Sequence, residues 1–225
     1  RPPVDALLVP DLTPDAERAP IARSVGTPTI FIGLPDDRDG LTCVDLDFEA
    51  AGQLAVDRLA DAGHRRIALL GQTEVSYRKS NFPRRLLRGA QEQAAARGVT
   101  LDWSPSGAAV TDAVTVRASA EAALARGDRA FIVHAVDDVH QVLLSVLAEH
   151  GLRVGDDVSV VSAAASFDTS ALPVPVDTIP LVPQRSCEIA VDLAIRRLDD
   201  PLAPAEIHLI PPEYRSVGSV SPAQD

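Results

Sequence analysis

Short apolar runs alternate with amphipathic stretches along the whole chain. VDALLVP (4–10), PTIFIG (28–33), TCVDL (42–46), RRIALLG (65–71), RAFIVH (129–134) and DVSVVS (157–162) are rich in Val, Ile and Leu and bounded by proline, glycine or charge. Such runs predict buried strands. The stretches between them carry helical signals. Thr13 is placed to cap a helix over 13–25, with Pro14 at its first position, acids in its first turn and Pro20 shortening or kinking it. Asp47 is placed to cap a helix through Ala62 whose stripe is Phe48, Ala51, Ala55 and Leu59, with Gly63 just past its end. Val139, Val142, Leu143, Val146 and Leu147 give the i, i+3, i+4, i+7, i+8 spacing of a buried helix face. Further helices are predicted over about 85–97, up to Arg126, and from Pro183 to about Leu198.

The remainder is less regular. Residues 72–84 and 99–110 mix polar and charged residues and predict connections. PVDTI (175–179) reads as a crossing segment, and AEIHLI (205–210) and EYRSVG (213–218) as two closing strands. Strands and helices alternating in this order imply a parallel sheet covered on both faces. Two such α/β stretches, joined by an irregular connection and a late crossing, predict two lobes linked by several segments, an arrangement that makes a cleft. The alanines Ala163, Ala164 and Ala165 end one of the predicted strands, where an open α/β sheet delivers side chains to a ligand.

Composition narrows the function classes. The 225 residues are 46% hydrophobic and 24% charged, enough to bury a core and unlike a disordered chain. A net charge of −11 opposes nucleic acid binding by this chain alone. No run is apolar enough to span a bilayer and no secretory leader is visible, so a cytoplasmic protein with no membrane partner is expected. Cys43 and Cys187 lack metal-type spacing and are expected as two buried free thiols, with a disulfide left open.

Catalytic motifs are scarce: there is no GxSxG, no GxxxxGK[ST], no GxGxxG after a strand, and no HExxH or CxxC. Neither catalysis nor a cofactor is expected. One cluster, HAVDDVH (134–140), has two readings: His134, Asp137, Asp138 and His140 as a metal site, or Asp137 or Asp138 as a helix cap with the histidines on neighbouring surfaces. Strand alternation favours the cap. Arg65, Arg66, Arg84, Arg85 and Arg88 are expected as solvated surface, and His64 as a cap on the preceding helix.

VDLDFEAAGQLAVDRLADAGHRRIALLG (44–71) resembles the LacI/GalR-type bacterial transcriptional regulators, whose effector domain looks like the periplasmic sugar-binding proteins. Val44, Asp47, Gly63, His64, Arg65, Arg66 and Ile67 stand at the family's motif positions. LRGAQEQAAARG (87–98), EHGLRVGDDVSVV (149–161) and VDTIPLVPQRSCEIAVDLAIRRL (176–198) follow in the family's order, with Gly155 at a usual Pro and Ser186 at a usual Gly. The resemblance implies a two-lobed periplasmic-binding-protein-like fold of parallel sheets flanked by helices. One lobe is expected over 1–72 plus about 180–200, the other over 73–179 plus about 203–220. It also implies that the DNA-reading helix-turn-helix and the opening βα segment of the effector domain lie outside this sequence, which lacks an initial Met.

The resemblance further implies a ligand site in the cleft, formed by Asp11, Gly33, Gln72, Arg78, Leu86, Val136, Asp137, Ala164 and Ser166. Four positions where relatives carry polar ligand-holding groups are Gly33, Leu86, Val136 and Ala164 here, with Asp137 as the retained acid. Sugars require buried hydrogen bonds. The changed positions therefore imply an apolar or unusual effector, or a regulator that no longer responds to a sugar, unless neighbours such as Gln72, Glu74, Arg78, Arg84 or Ser166 take over the polar work. The expected function is the effector-binding and dimerisation domain of a LacI-type regulator, acting as a homodimer on operator DNA through the absent headpiece. The alternatives are a solute-binding protein of a transport system and, third, a metal enzyme at His134–His140.

Overall fold

The computed structural model describes residues 4–10, 18–24 and 26–224. Asp11, Thr13 and Pro14 lie outside the described residues. The chain divides into two compact units: Arg1–Asp47, Lys79–Phe82 and Val182–Pro211 form unit 1, and Phe48–Arg78, Pro83–Leu181 and Pro212–Asp225 form unit 2. The expected first boundary at residue 72 therefore falls instead at Asp47/Phe48, and the segment near 203–210 belongs with unit 1. The reason is pairing: the last strand joins the sheet of the first unit.

Unit 1 holds a four-stranded parallel sheet in the order β1 (Leu7–Val9), β2 (Thr29–Ile32), β3 (Thr42–Leu46), β9 (Ile207–Ile210). Helix α1 (Arg18–Ser24) brings Ala19 onto Phe31, Leu34, Leu41 and Cys43 on one face. Helix α7 (Pro183–Asp199) covers the other with Ala190, Leu193 and Ala194 on Ile30, Val44 and Ile210. Pro183 opens α7 because a first-turn residue needs no N–H. Cys43 is buried as expected, whereas Cys187 on α7 is exposed, and both are free thiols.

Unit 2 holds a five-stranded parallel sheet in the order β5 (Thr100–Pro105), β4 (Arg66–Gly71), β6 (Ala130–Val133), β7 (Ser159–Ala165), β8 (Asp177–Pro180). Helices α5 (Ala113–Ala125) and α6 (Asp137–Glu149) bury Val116, Ala120, Leu143 and Leu147 against Leu70, Phe131, Val133 and Val160 on one face. Helix α2 (Phe48–Asp61) packs on β6 and β7 from the other. It crosses α4 (Asn81–Arg97) so closely that both backbones need glycine. A methyl on Gly52 would lie 2.8 Å from the Ala90 nitrogen, and one on Gly89 2.8 Å from the Glu49 Cα.

Three expectations change. The connection over 72–84 is helical, with α3 (Glu74–Lys79) preceding α4. The Thr73 hydroxyl oxygen accepts from Ser76 N at 3.2 Å, and Pro83 sits in the first turn of α4, where proline costs no hydrogen bond. Within 99–110 lies β5, an edge strand. An edge strand pairs on one side only, which explains its weak apolar signal and its tolerance of Pro105. The expected strand over 213–218 is absent apart from one antiparallel bridge, Thr178–Arg215.

The segment 213–219 is turned out of ladder geometry by Asp177, which is 1% exposed. Its carboxylate accepts from the Tyr214 hydroxyl at 2.6 Å, Ser216 Oγ at 3.0 Å, and the backbone N–H groups of Val217, Gly218 and Ser219 at 2.7, 2.9 and 3.0 Å. Burial alone would raise the Asp177 pKa, but these donors outweigh it and hold the carboxyl below its ordinary range. His64 anchors the end of the same strap rather than capping its own helix. Its Nε2–H faces Ser159 Oγ at 2.8 Å and the Ser221 carbonyl at 3.1 Å. Asp177→Asn removes the charge that gathers these donors, and urea unfolding is expected to show a loss of about 2 kcal/mol or more, since hydrogen bonds to a charged group are the strong ones.

Candidate functional site

In unit 2 the strands β4, β6 and β7 end side by side, and their carboxyl ends gather five of the expected positions: Gln72 after β4, Val136 and Asp137 after β6, and Ala164 and Ser166 at the end of β7. Gln72 is half-buried, whereas Val136, Asp137 and Ser166 are exposed. Arg78 lies on α3, 65% exposed and 3.5 Å from Glu74. Gly33 follows β2 in unit 1, where its N–H donates to the Val44 carbonyl at 2.8 Å.

Leu86 does not line a surface. It is fully buried in α4 beneath Gly52, so the expectation that it faces a ligand is corrected. Its neighbour Arg85 was expected in solvent but is only 4% exposed, with its guanidinium 5.6 Å from the Phe48 ring centre and its Nε 3.9 Å from Glu49. On a helix, adjacent residues project about 100° apart, so a helix packed on more than one side buries neighbours in sequence.

The alanine wall has an unusual backbone. Ala164 has φ +53°, and among the described residues it is the sole non-glycine with positive φ. Ala163 and Ala165 pair with Ile179 and Pro180, so Ala164 is the extra residue of a bulge. The left-handed conformation costs an L-residue roughly 1–2 kcal/mol, and bulges re-aim side chains at the edges of sheets. The bulge aims only a methyl group here.

Two histidines brace this wall, each 1% exposed. His134 Nδ1 lies 2.9 Å from the Ala163 carbonyl, which can only accept, so Nδ1 carries the proton. His140 Nδ1–H donates to the Val136 carbonyl at 3.1 Å, leaving Nε2 to accept from the Ser162 hydroxyl at 2.8 Å. Burial pushes both imidazoles down to about 4, so both are neutral near pH 7. Among the described residues no group of three or more His, Cys, Asp or Glu could hold a metal ion, which corrects the metal reading. Nor does Asp137 or Asp138 cap α6. Val136 occupies the cap position, and both acids lie in the first turn, where they favour the positive end of the helix dipole.

Two further groups at this end were not anticipated. Trp103 on β5 stands edge-on to Tyr77, ring centres 4.9 Å apart, and its Nε1–H donates to the Tyr77 hydroxyl at 3.0 Å. Gly71 makes room for them, since a Cβ there would sit 2.6 Å from Trp103 Nε1. Trp103 is 37% exposed and could have been noticed as the chain's single Trp. Ser106, at the end of β5, buries a hydroxyl that has no hydrogen-bond partner among the described residues.

Two parallel α/β units, the chain passing repeatedly between them, with polar and aromatic groups at the carboxyl ends of the strands, define a ligand-binding type of architecture. The profile of the periplasmic binding protein-like domain family matches residues 56–220. The chain belongs to that family. No curated protein sequence matches it. Among solved structures, a LacI family transcriptional regulator from Bifidobacterium animalis subsp. lactis has a TM-score of 0.80 at 21% identity, covering 98% of this chain and 79% of that one. The lac repressor dimer bound to operator and an anti-inducer has a TM-score of 0.78 at 21% identity, covering 97% and 74%. A LacI family regulator from Enterococcus faecalis with bound ribose has 0.75 at 16%, covering 100% and 80%. These likenesses establish the two-lobed, periplasmic-binding-protein-like fold. Among the described residues no helix is long and apolar enough to cross a membrane.

Two outcomes follow from the wall. Ala164→Gly relieves the positive φ and is expected to raise stability by up to about 1 kcal/mol in urea unfolding. The second concerns pH. His134 and His140 take up protons on unfolding, because their folded pKa values of about 4 lie below the ordinary 6.5, and burial lowers His64 as well. Their contribution is complete above about pH 6.5 and is lost as pH falls towards 4. Unfolding free energies measured between pH 7 and pH 4 should fall with a slope of about two protons or more.

Proposed function

We propose that this chain is the effector-binding and dimerisation domain of a LacI-family transcriptional regulator. It binds a small molecule at the carboxyl ends of the unit 2 strands, works as a homodimer in the cytoplasm, and acts on operator DNA through a separate helix-turn-helix. The fold likeness to LacI-family regulators, one a dimer on operator DNA and one holding ribose, supports this reading. No catalysis is assigned to it. Binding would act by favouring one of two states that differ in DNA affinity.

The effector is not a typical sugar. The observation that supports this is the end of β7: Ala164, where the resemblance implies a polar ligand-holding group, carries only a methyl on a bulged backbone, and Val136 follows the neighbouring β6. Gln72, Asp137 and Ser166 leave a few polar contacts, and Trp103 with Tyr77 offers an aromatic surface suited to a ring.

A thermal-shift screen of simple hexoses and pentoses against aromatic and aliphatic metabolites tests the ligand class, because a ligand that binds only the folded form raises the melting point. Selective stabilisation by a ring-containing apolar metabolite, with a change in Trp103 fluorescence, is expected. Strong stabilisation by a simple hexose would refute the non-sugar reading. Sedimentation velocity of the same protein is expected to show a dimer.

A further inference from the structure

His134 and His140 occupy a specific place in unit 2. His134 follows β6, His140 lies in the opening of α6, and both bond into the last residues of β7 before the bulge, at Ala163 and Ser162. Phe48 of α2 stands edge-on to His134 at 6.4 Å, and Phe167 edge-on to His140 at 5.0 Å. Both rings are thus packed in apolar surroundings as well as hydrogen-bonded. The charged or titratable groups around them are each other, Asp137 at the start of α6, and, beyond Phe48, Arg85 with Glu49.

The bulge makes this end of β7 separable from the rest of the sheet. Pairing with β8 shifts register between Ala163 and Ala165, and the chain emerges at Ser166, which is exposed. Opening residues 163–166 therefore disturbs few ladder bonds, whereas opening β4 or β6, each paired on both sides, requires unfolding the unit.

We propose that His134 and His140 are positioning residues of the candidate site: as uncharged rings they hold the carboxyl end of β7 in its bulged form, and a proton on either releases that wall while the rest of unit 2 stays folded. Protonation need not break the bonds to Ala163 or Ser162, because the carbonyl still accepts and the serine hydroxyl can turn to accept. It places a cation in a dry site, and opening the wall to water relieves that cost. The consequence for ligand binding rests on assigning the effector site to this edge; the clamp itself does not.

Amide hydrogen exchange of the whole chain between pH 7 and pH 4.5, corrected for intrinsic rates, tests the clamp. Protection at 163–166 is expected to fall by up to about tenfold per pH unit per histidine below 6.5, while amides of Leu69 and Ile132 change less. His134→Gln and His140→Gln should each remove part of that acid dependence. Ser162→Ala should loosen 163–166 already at pH 7 and keep the dependence. Wall and core amides losing protection together would overturn the proposal. If the glutamine variants do not fold, NMR titration of the wild-type imidazoles decides. Rings that stay neutral to below pH 5 and change only as the wall opens support the clamp, and rings that titrate near 6.5 with the wall closed sink it. An effector screen without hits would count against the proposed function and leave this result standing.

Discussion

The parallel sheet of unit 2 is covered on both faces, and this sets the terms for every polar group inside it. A buried strand with helices on either side cannot hand a stray donor or acceptor to water. Buried polar side chains in this layer meet partners of matching chemistry, the Ser106 hydroxyl excepted. Asp128, with no exposure, lies 2.7 Å from the Arg66 guanidinium and 3.0 Å from that of Arg126. Asp177 gathers the donors of the C-terminal strap, and Ser159 and Ser162 meet His64 and His140. The strap runs irregularly because satisfying one buried carboxylate outweighs completing a strand.

The same condition shapes the candidate site. A carboxylate at Ala164 would need donors of its own, whereas alanine needs none, so the edge is built from methyl groups on a bulged backbone braced by neutral imidazoles. The braces are polar, yet their bonds to the Ala163 carbonyl, the Val136 carbonyl and the Ser162 hydroxyl lie inside the protein.

Much of this was legible in the residues. The strands at 28–33, 42–46, 65–71 and 129–134 and the face of α6 were visible because apolar spacing reflects neighbours on the same element. The α3 helix and β5 were not. One is too short to show a periodic face, and the other is an edge strand that packs on one side only. The strand expected over 213–218 has the right residues, but Asp177, 37 positions before Tyr214, claims its backbone donors. The candidate site was half legible: the resemblance brought Gln72, Val136, Asp137, Ala164 and Ser166 to one edge, but misplaced Leu86 and passed over Trp103 and Tyr77.

By itself the sequence determined the alternation of strands and helices, the parallel sheets that follow from it, the family, and the run of three alanines at the end of one strand. These are properties of spacing and side-chain type, and short-range chemistry sets them. The tertiary structure decided where the chain divides, that Leu86 is core and Arg85 is buried beside Phe48, and that Ala164 adopts a left-handed backbone. It also decided that the histidines of HAVDDVH brace a wall rather than hold a metal. Each of these depends on a partner far away in sequence, as with His64 and Ser159, 95 positions apart. Such a partner exists for a residue only once the helices and sheets have packed.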